Sequence, residues 1–300
     1  MDANVGPSKT LPIDGVIELS FDRFLNPSTV TRQSVSLRDE FNQAPITPVV
    51  AYDPVRRVVT VANPSTDGKP WLLPGQPYKL ILPIPAKVSD FGLRAIDDAG
   101  LEGKGAVVIG FYTTPATGRQ PDSTVAFCTD VLPILASCGS CHLAPDAGAP
   151  ISAPAGLVLD TGEGIAFARS RVANASNTGP RSGAGRPAGN FFPVDMPLID
   201  PGNPGNSFLL YKLLLTPPPS DGRPEKSCTP SPYLLPETNV ASGLADGERS
   251  RLGDYVLGLP MPASGAGLDE TQLERLRLWI AQGANVESCP ATPSPPDCGH

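Results

Sequence analysis

Cys138-Gly139-Ser140-Cys141-His142 decides how the second half of this chain is read. Two cysteines three apart, followed at once by a histidine, form the pattern for covalent attachment of a c-type haem: the thiols bond the porphyrin vinyl groups and the imidazole ligates the iron. The 300 residues include 6 Cys and 2 His. At those frequencies the run arises by chance on the order of once in a thousand such chains. Cys138 and Cys141 are therefore read as attachment points for one haem c, and His142 as the proximal iron ligand. A zinc half-site would want further soft or imidazole ligands close by, and a redox dithiol of the thioredoxin type would follow a strand, whereas here a helical pattern precedes the cysteines.

Working outward, Ser123 is placed to cap a helix through Val125, Phe127, Val131 and Leu135 toward Cys138, with Pro133 distorting its middle. Further on, Asp269 and Gln272 have capping-box spacing, Leu273, Leu276, Trp279 and Ile280 form one apolar face, and Gly283 is placed to end that helix. A shorter helix is predicted over Ser207–Leu214, with Ser207 as its cap. The preceding Pro201-Gly202-Asn203-Pro204-Gly205-Asn206 lacks the lysine and the strand that a phosphate-cradling loop requires. Stretches 176–190 and 216–232, rich in Gly and Pro, read as irregular loops. The sixth iron ligand has few candidates, because the chain holds 3 Met and one further His. Met261, stiffened by Pro260 and Pro262 just before the last helix, stands first; Met196, His300 and an open or water-bound position are the others. A thioether ligand would raise the potential and suit an electron carrier, whereas an open position would suit a catalyst.

Before residue 115 the pattern changes. Short alternating runs occupy Val16–Phe21, Ser34–Leu37, Val49–Tyr52, Arg57–Val61, Tyr78–Leu82 and Val107–Tyr112, with Pro, Gly and Asp between them. Period-two patterning of this kind predicts an antiparallel β-sandwich. We therefore expect a sandwich over 1–118 with its core at 11–114, a haem domain over 119–290 and a Pro-rich tail over 291–300. Composition agrees with folded, loop-rich modules: 37 Pro and 30 Gly accompany 40% hydrophobic and 18% charged residues. The net charge of −7 is uneven, with 12 acids against 11 bases up to residue 118 and 18 against 12 after it. No basic stripe is present to neutralise phosphates, which argues against nucleic acid, and no apolar run reaches the length of a transmembrane segment. Cys128, Cys228, Cys289 and Cys298 form an even remainder, so two disulfides in an oxidising compartment are expected, with the pairing open. Haem attachment of this type takes place outside the cytoplasm, so a signal or lipid-anchor segment is expected beyond this sequence, with the mature protein in the periplasm or on the outer cell surface.

Two resemblances add to this reading. Gly15–Pro27, Leu73–Tyr78, Val88–Gly92 and Phe111–Thr113 resemble the bacterial Ig-like domains of S-layer and surface proteins. That resemblance implies a spacer, adhesion or glycan-binding module with no shared active site. Trp71 and Tyr78 are the aromatics available to stack on a sugar, although such residues more often pack a core or a turn. Cys138–His142, Gly156–Asp160, Pro201–Leu210, Met261-Pro262 and Leu276–Ala284 resemble the planctomycete-type cytochrome c domains, in order and in local sequence. This second resemblance implies haem on Cys138, Cys141 and His142, with Met261 as distal ligand. The expected fold is thus a multidomain chain, an all-β Ig-like sandwich followed by a mainly α, loop-rich cytochrome c-like domain. The expected function is one-electron transfer to a redox partner protein, with the sandwich positioning the haem domain or binding a partner. The alternatives are a peroxidase-like haem enzyme with an open distal site, and a surface adhesion or scaffold protein whose haem is structural.

Overall fold

A computed structural model describes residues 1–65, 69–87, 89–118, 122–144, 156–170, 196–216, 242–256, 260–262 and 267–289. Cys228, Cys298, His300, the 176–190 stretch, nearly all of 216–232 and the 291–300 tail lie outside those residues.

Nine strands form two sheets among the described residues. One sheet has the order β1 (Asp2–Ala3), β3 (Ile17–Ser20), β7 (Val58–Ala62), β6 (Val49–Asp53); all its pairs are antiparallel. The other has the order β2 (Thr10–Pro12), β9 (Ala106–Thr114), β8 (Pro77–Pro83), β4 (Ser36–Asp39), β5 (Pro45–Ile46). Each of the six alternating runs overlaps a strand, and the period is visible in β8, where Tyr78, Leu80 and Leu82 point into the core between less buried neighbours. They meet Ile17, Leu19, Val59, Val61, Leu37 and Phe111 there. Burying each such side chain contributes roughly 1.5–3 kcal/mol, which is what commits these segments to strands. The sequence missed β1, β2 and β5 because two or three residues show no period.

The expected fold class needs correction. The five-stranded sheet is mixed, because β2 runs parallel to β9 (Thr10 opposite Tyr112, Pro12 opposite Thr114). Nor is the chain as a whole clearly mainly α. Among the described residues the α-helices are short: α1 (Leu132–Ala136), α2 (Gly162–Ser170), α3 (Phe208–Leu214), α4 (Ser242–Gly253) and α5 (Glu270–Ala281), and taken with the strands they leave helix and strand close to balanced. Proline and glycine limit these helices. Pro133 lies in the first turn of α1, where its missing N–H costs nothing, and Gly283 stops α5 in a left-handed conformation (φ 100°). The helix expected from Ser123 instead begins with a π-helical turn at Phe127–Val131, whose entry is fixed by Ala126 N donating to Asp130 Oδ2 at 2.9 Å. Ser207 does stand at the N-cap position of α3, but its hydroxyl donates to Asn203 O and accepts from Asp200 N.

The second core crosses the sequence boundary near 118. Phe24, Val55 and Ile96, all fully buried, pack with Phe127, Ile165, Tyr211, Leu276 and Trp279. Strand β6 forms an edge of its sheet, and the 3-10 turn Pro204–Asn206 lies against it. Polar contacts reinforce the joint: Arg277 on α5 pairs with Asp53 at 3.2 Å, and Arg23 with Glu248 on α4 at 3.3 Å.

Candidate functional site

From α1 the chain tightens into a 3-10 turn, Ser137–Ser140, started by Ser137 Oγ donating to Ile134 O at 2.6 Å. Cys138 O then accepts from both Cys141 N (3.2 Å) and His142 N (3.0 Å). Neither thiol is in a disulfide. Cys138 is half-buried against the second core, while Cys141 is exposed. Burial pushes the Cys138 thiol up, with Ser137 opposing and Cys141 adding to the rise. That direction at Cys138 is opposite to the lowered thiol of a reactive cysteine.

His142 is buried, 8% exposed, and its ring Nδ1 lies 2.9 Å from Leu157 O. A carbonyl only accepts, so this contact assigns the proton to Nδ1 and leaves the Nε2 lone pair for a metal. Two more contacts bind the same loop: Leu159 N donates to His142 O and Ala144 N to Asp160 Oδ1, both at 2.9 Å. Sequence reasoning did not find this support. Leu157 acts through its backbone, which carries no side-chain signal, and Asp160 was visible only as one letter of Gly156–Asp160.

No protein-family model matches this chain, and no curated protein does.

The distal candidates are placed differently. Met261 is partly buried at the margin of the second core, the same core that Cys138 packs against, and its amide donates to Lys212 O on α3 at 3.3 Å. Met196 is 1% exposed and belongs to that core. Among the described residues no three of His, Cys, Asp and Glu come together as a metal centre. A haem iron asks less of the chain, since the porphyrin supplies four ligands and the protein one or two. Two thiols three residues apart, neither in a disulfide, and an imidazole whose Nδ1 faces the Leu157 carbonyl fit that group.

Cys128 and Cys289 form a disulfide, joining the π-helical turn before the site to the segment after α5. Two clefts of about 430 and 620 Å³ flank residues 122–130. Their walls hold Asp122, Asp130, Glu270, Glu274 and Glu287 against one base, Arg275. Of the two aromatics considered for sugar stacking, Tyr78 is 2% exposed and lies 5.8 Å from Phe111 ring to ring, so it belongs to the core. Trp71 is only partly buried, and its indole donates to Gly15 O at 3.0 Å. Among the described residues no helix is long and apolar enough to cross a membrane.

Proposed function

We propose that this chain is an exported monohaem c-type cytochrome that carries single electrons to and from a partner protein. The observation that carries the reading is His142, which follows Cys138 and Cys141 directly and has its Nδ1 on Leu157 O. Bound haem would supply the Fe(II)/Fe(III) couple. The chain's own residues do the rest. Cys138 and Cys141 would tether the haem, His142 would ligate its iron through Nε2, and the Leu157 carbonyl fixes the ring by accepting from Nδ1–H. Met261 is the distal ligand in this reading, because it sits at the margin of the core that Cys138 touches. A thioether there favours reduced iron and a moderately high potential.

The Cys128–Cys289 disulfide supports an oxidising compartment, the periplasm or the outer cell surface. The acidic balance after residue 118 supports a basic redox partner, drawn in at rates that fall with ionic strength.

The test is mass spectrometry of protein produced with haem-maturation machinery, followed by optical spectra in both oxidation states. Covalent haem on the Cys138–Cys141 peptide and a reversible couple are expected. A peptide without haem would falsify the reading. Met261→Ala is expected to alter the spectrum and lower the potential; unchanged values would remove Met261 from the distal position.

A further inference from the structure

One short segment, Leu157–Asp160, holds the loop that carries His142. Two of its three contacts are available to any sequence: Leu157 O faces the ring Nδ1, and Leu159 N donates to His142 O. The third requires a particular side chain, since Ala144 N, two residues beyond the histidine, donates to Asp160 Oδ1 at 2.9 Å. Asp160 also backs directly on the haem motif. A Cβ placed on Gly139 would lie 3.2 Å from Asp160 Cβ, so glycine between the two cysteines is what lets the carboxylate approach the loop.

Behind Asp160 the segment is rigidly supported. Thr161 starts α2, its hydroxyl accepting from Gly164 N at 3.1 Å and its carbonyl from Ile165 N at 3.1 Å. Ile165 and Ala168 anchor that helix in the second core. Gly164 permits the close return of the chain, because a Cβ there would meet Val158 Cγ1 at 2.5 Å. Asp160 thus connects a fixed helix to a loop that hangs from the end of a 3-10 turn.

We propose that Asp160 is a positioning residue for the axial imidazole: through the Ala144 amide its carboxylate keeps the His142 loop against the Leu157 carbonyl that orients the ring. This rests on the haem reading above. The consequence is electronic as well as mechanical. A full Nδ1–H···O=C bond makes the imidazole a stronger donor to iron, which favours the oxidised state. Releasing the loop weakens that bond, lets water share the Nδ1 proton and shifts the potential upward.

The experiment uses the full-length haem-loaded protein with Asp160→Ala and Asp160→Asn, read by amide and imidazole proton exchange in the reduced state and by the midpoint potential. Asp160→Ala is expected to speed exchange of the Ala144 amide about tenfold, the loss of one hydrogen bond. Faster exchange at His142 Nδ1 and a higher potential accompany it. Asp160→Asn keeps an acceptor at Oδ1 and is expected to restore most of each change. Should the Ala protein fail to fold, Asp160→Glu, which keeps the charge but displaces the oxygens, is expected to reproduce the shift in potential. Covalent haem with unchanged exchange and potential in Asp160→Ala, or a lowered melting temperature as its only effect, overturns the positioning role and leaves the haem reading standing. Wild-type protein without covalent haem overturns that reading, and the role of Asp160 with it.

Discussion

At Gly205 a single hydrogen atom decides whether two parts of the chain can meet. A Cβ built there would lie 2.6 Å from the backbone oxygen of Tyr52 and 3.0 Å from its Cβ. Neither atom is the free end of a side chain, so the backbone itself would have to move. Gly205→Ala is expected to destabilise the fold by about 1–3 kcal/mol, the usual cost of overpacking, measured as a lower urea midpoint at constant m. An unchanged midpoint would show that the Pro204–Asn206 turn does not rest on β6. In sequence the Pro201–Asn206 run lacks the lysine and the strand of a phosphate-cradling loop; in the structure its glycine serves the contact between the halves. His142 lies at the other extreme of legibility. Its residue type and spacing are unambiguous in sequence, yet the carbonyl that orients it belongs to Leu157, a backbone group 15 residues away that no letter announces.

Among the elements, α5 was the most legible. The Asp269 carboxylate accepts from Gln272 N at 2.8 Å while Gln272 Oε1 accepts from Asp269 N at 3.0 Å, the reciprocal box that the spacing predicts. Asp269→Ala is expected to cost about 1 kcal/mol of stability, a few degrees in a thermal melt; no shift would mean that packing of Trp279 and Ile280 alone holds the helix. The segment leading to Cys138 was less legible, because its winding depends on tertiary partners. Ser123 had the identity of a cap, but Ser123 O accepts from Gln282 Nε2, which fixes the segment against the end of α5. The Cys128–Cys289 pairing was one of three open choices and depends on where α5 ends. It closes a loop with a sequence separation of 161. Replacing both cysteines by alanine is expected to lower stability by about 2–5 kcal/mol and to raise m, since the denatured chain gains freedom. An unchanged m would indicate that other constraints keep the denatured chain compact.

On the scale of the whole molecule, the fold class was misread because the three residues of β2, too few to show a period, pair in parallel with β9 and make that sheet mixed, and because helix and strand are close to balanced. Phe24, Val55 and Ile96 look like ordinary strand and loop hydrophobics, and only the assembled structure shows that they complete the second core. The charged groups at the same joint give it a pH dependence. Burial pushes Asp53 from 3.8 up to about 6, and Arg277 only partly offsets this. The reason is geometric: the Arg277 Nε and Nη2 are already engaged by Glu274, at 2.7 and 2.5 Å, leaving Nη1 alone for Asp53. An acid whose folded value is raised contributes stability that is fully present below about pH 4 and is lost as pH rises through about 6. Asp97, at the same joint, works in the opposite sense. Burial alone would raise it, but Arg23 and Arg251 hold it below the ordinary range, so its contribution is lost as pH falls. The two effects separate in a comparison of wild type with Asp53→Asn. Asparagine keeps an oxygen for the Val55 and Arg56 amides, which Asp53 Oδ1 now accepts at 3.0 and 3.2 Å, but it cannot ionise. Between pH 4 and 7 the wild type is expected to lose on the order of 2 kcal/mol relative to the variant, read from urea midpoints at each pH. Parallel curves would show that Asp53 stays ionised throughout, and that Arg277 fully compensates its burial between the two halves.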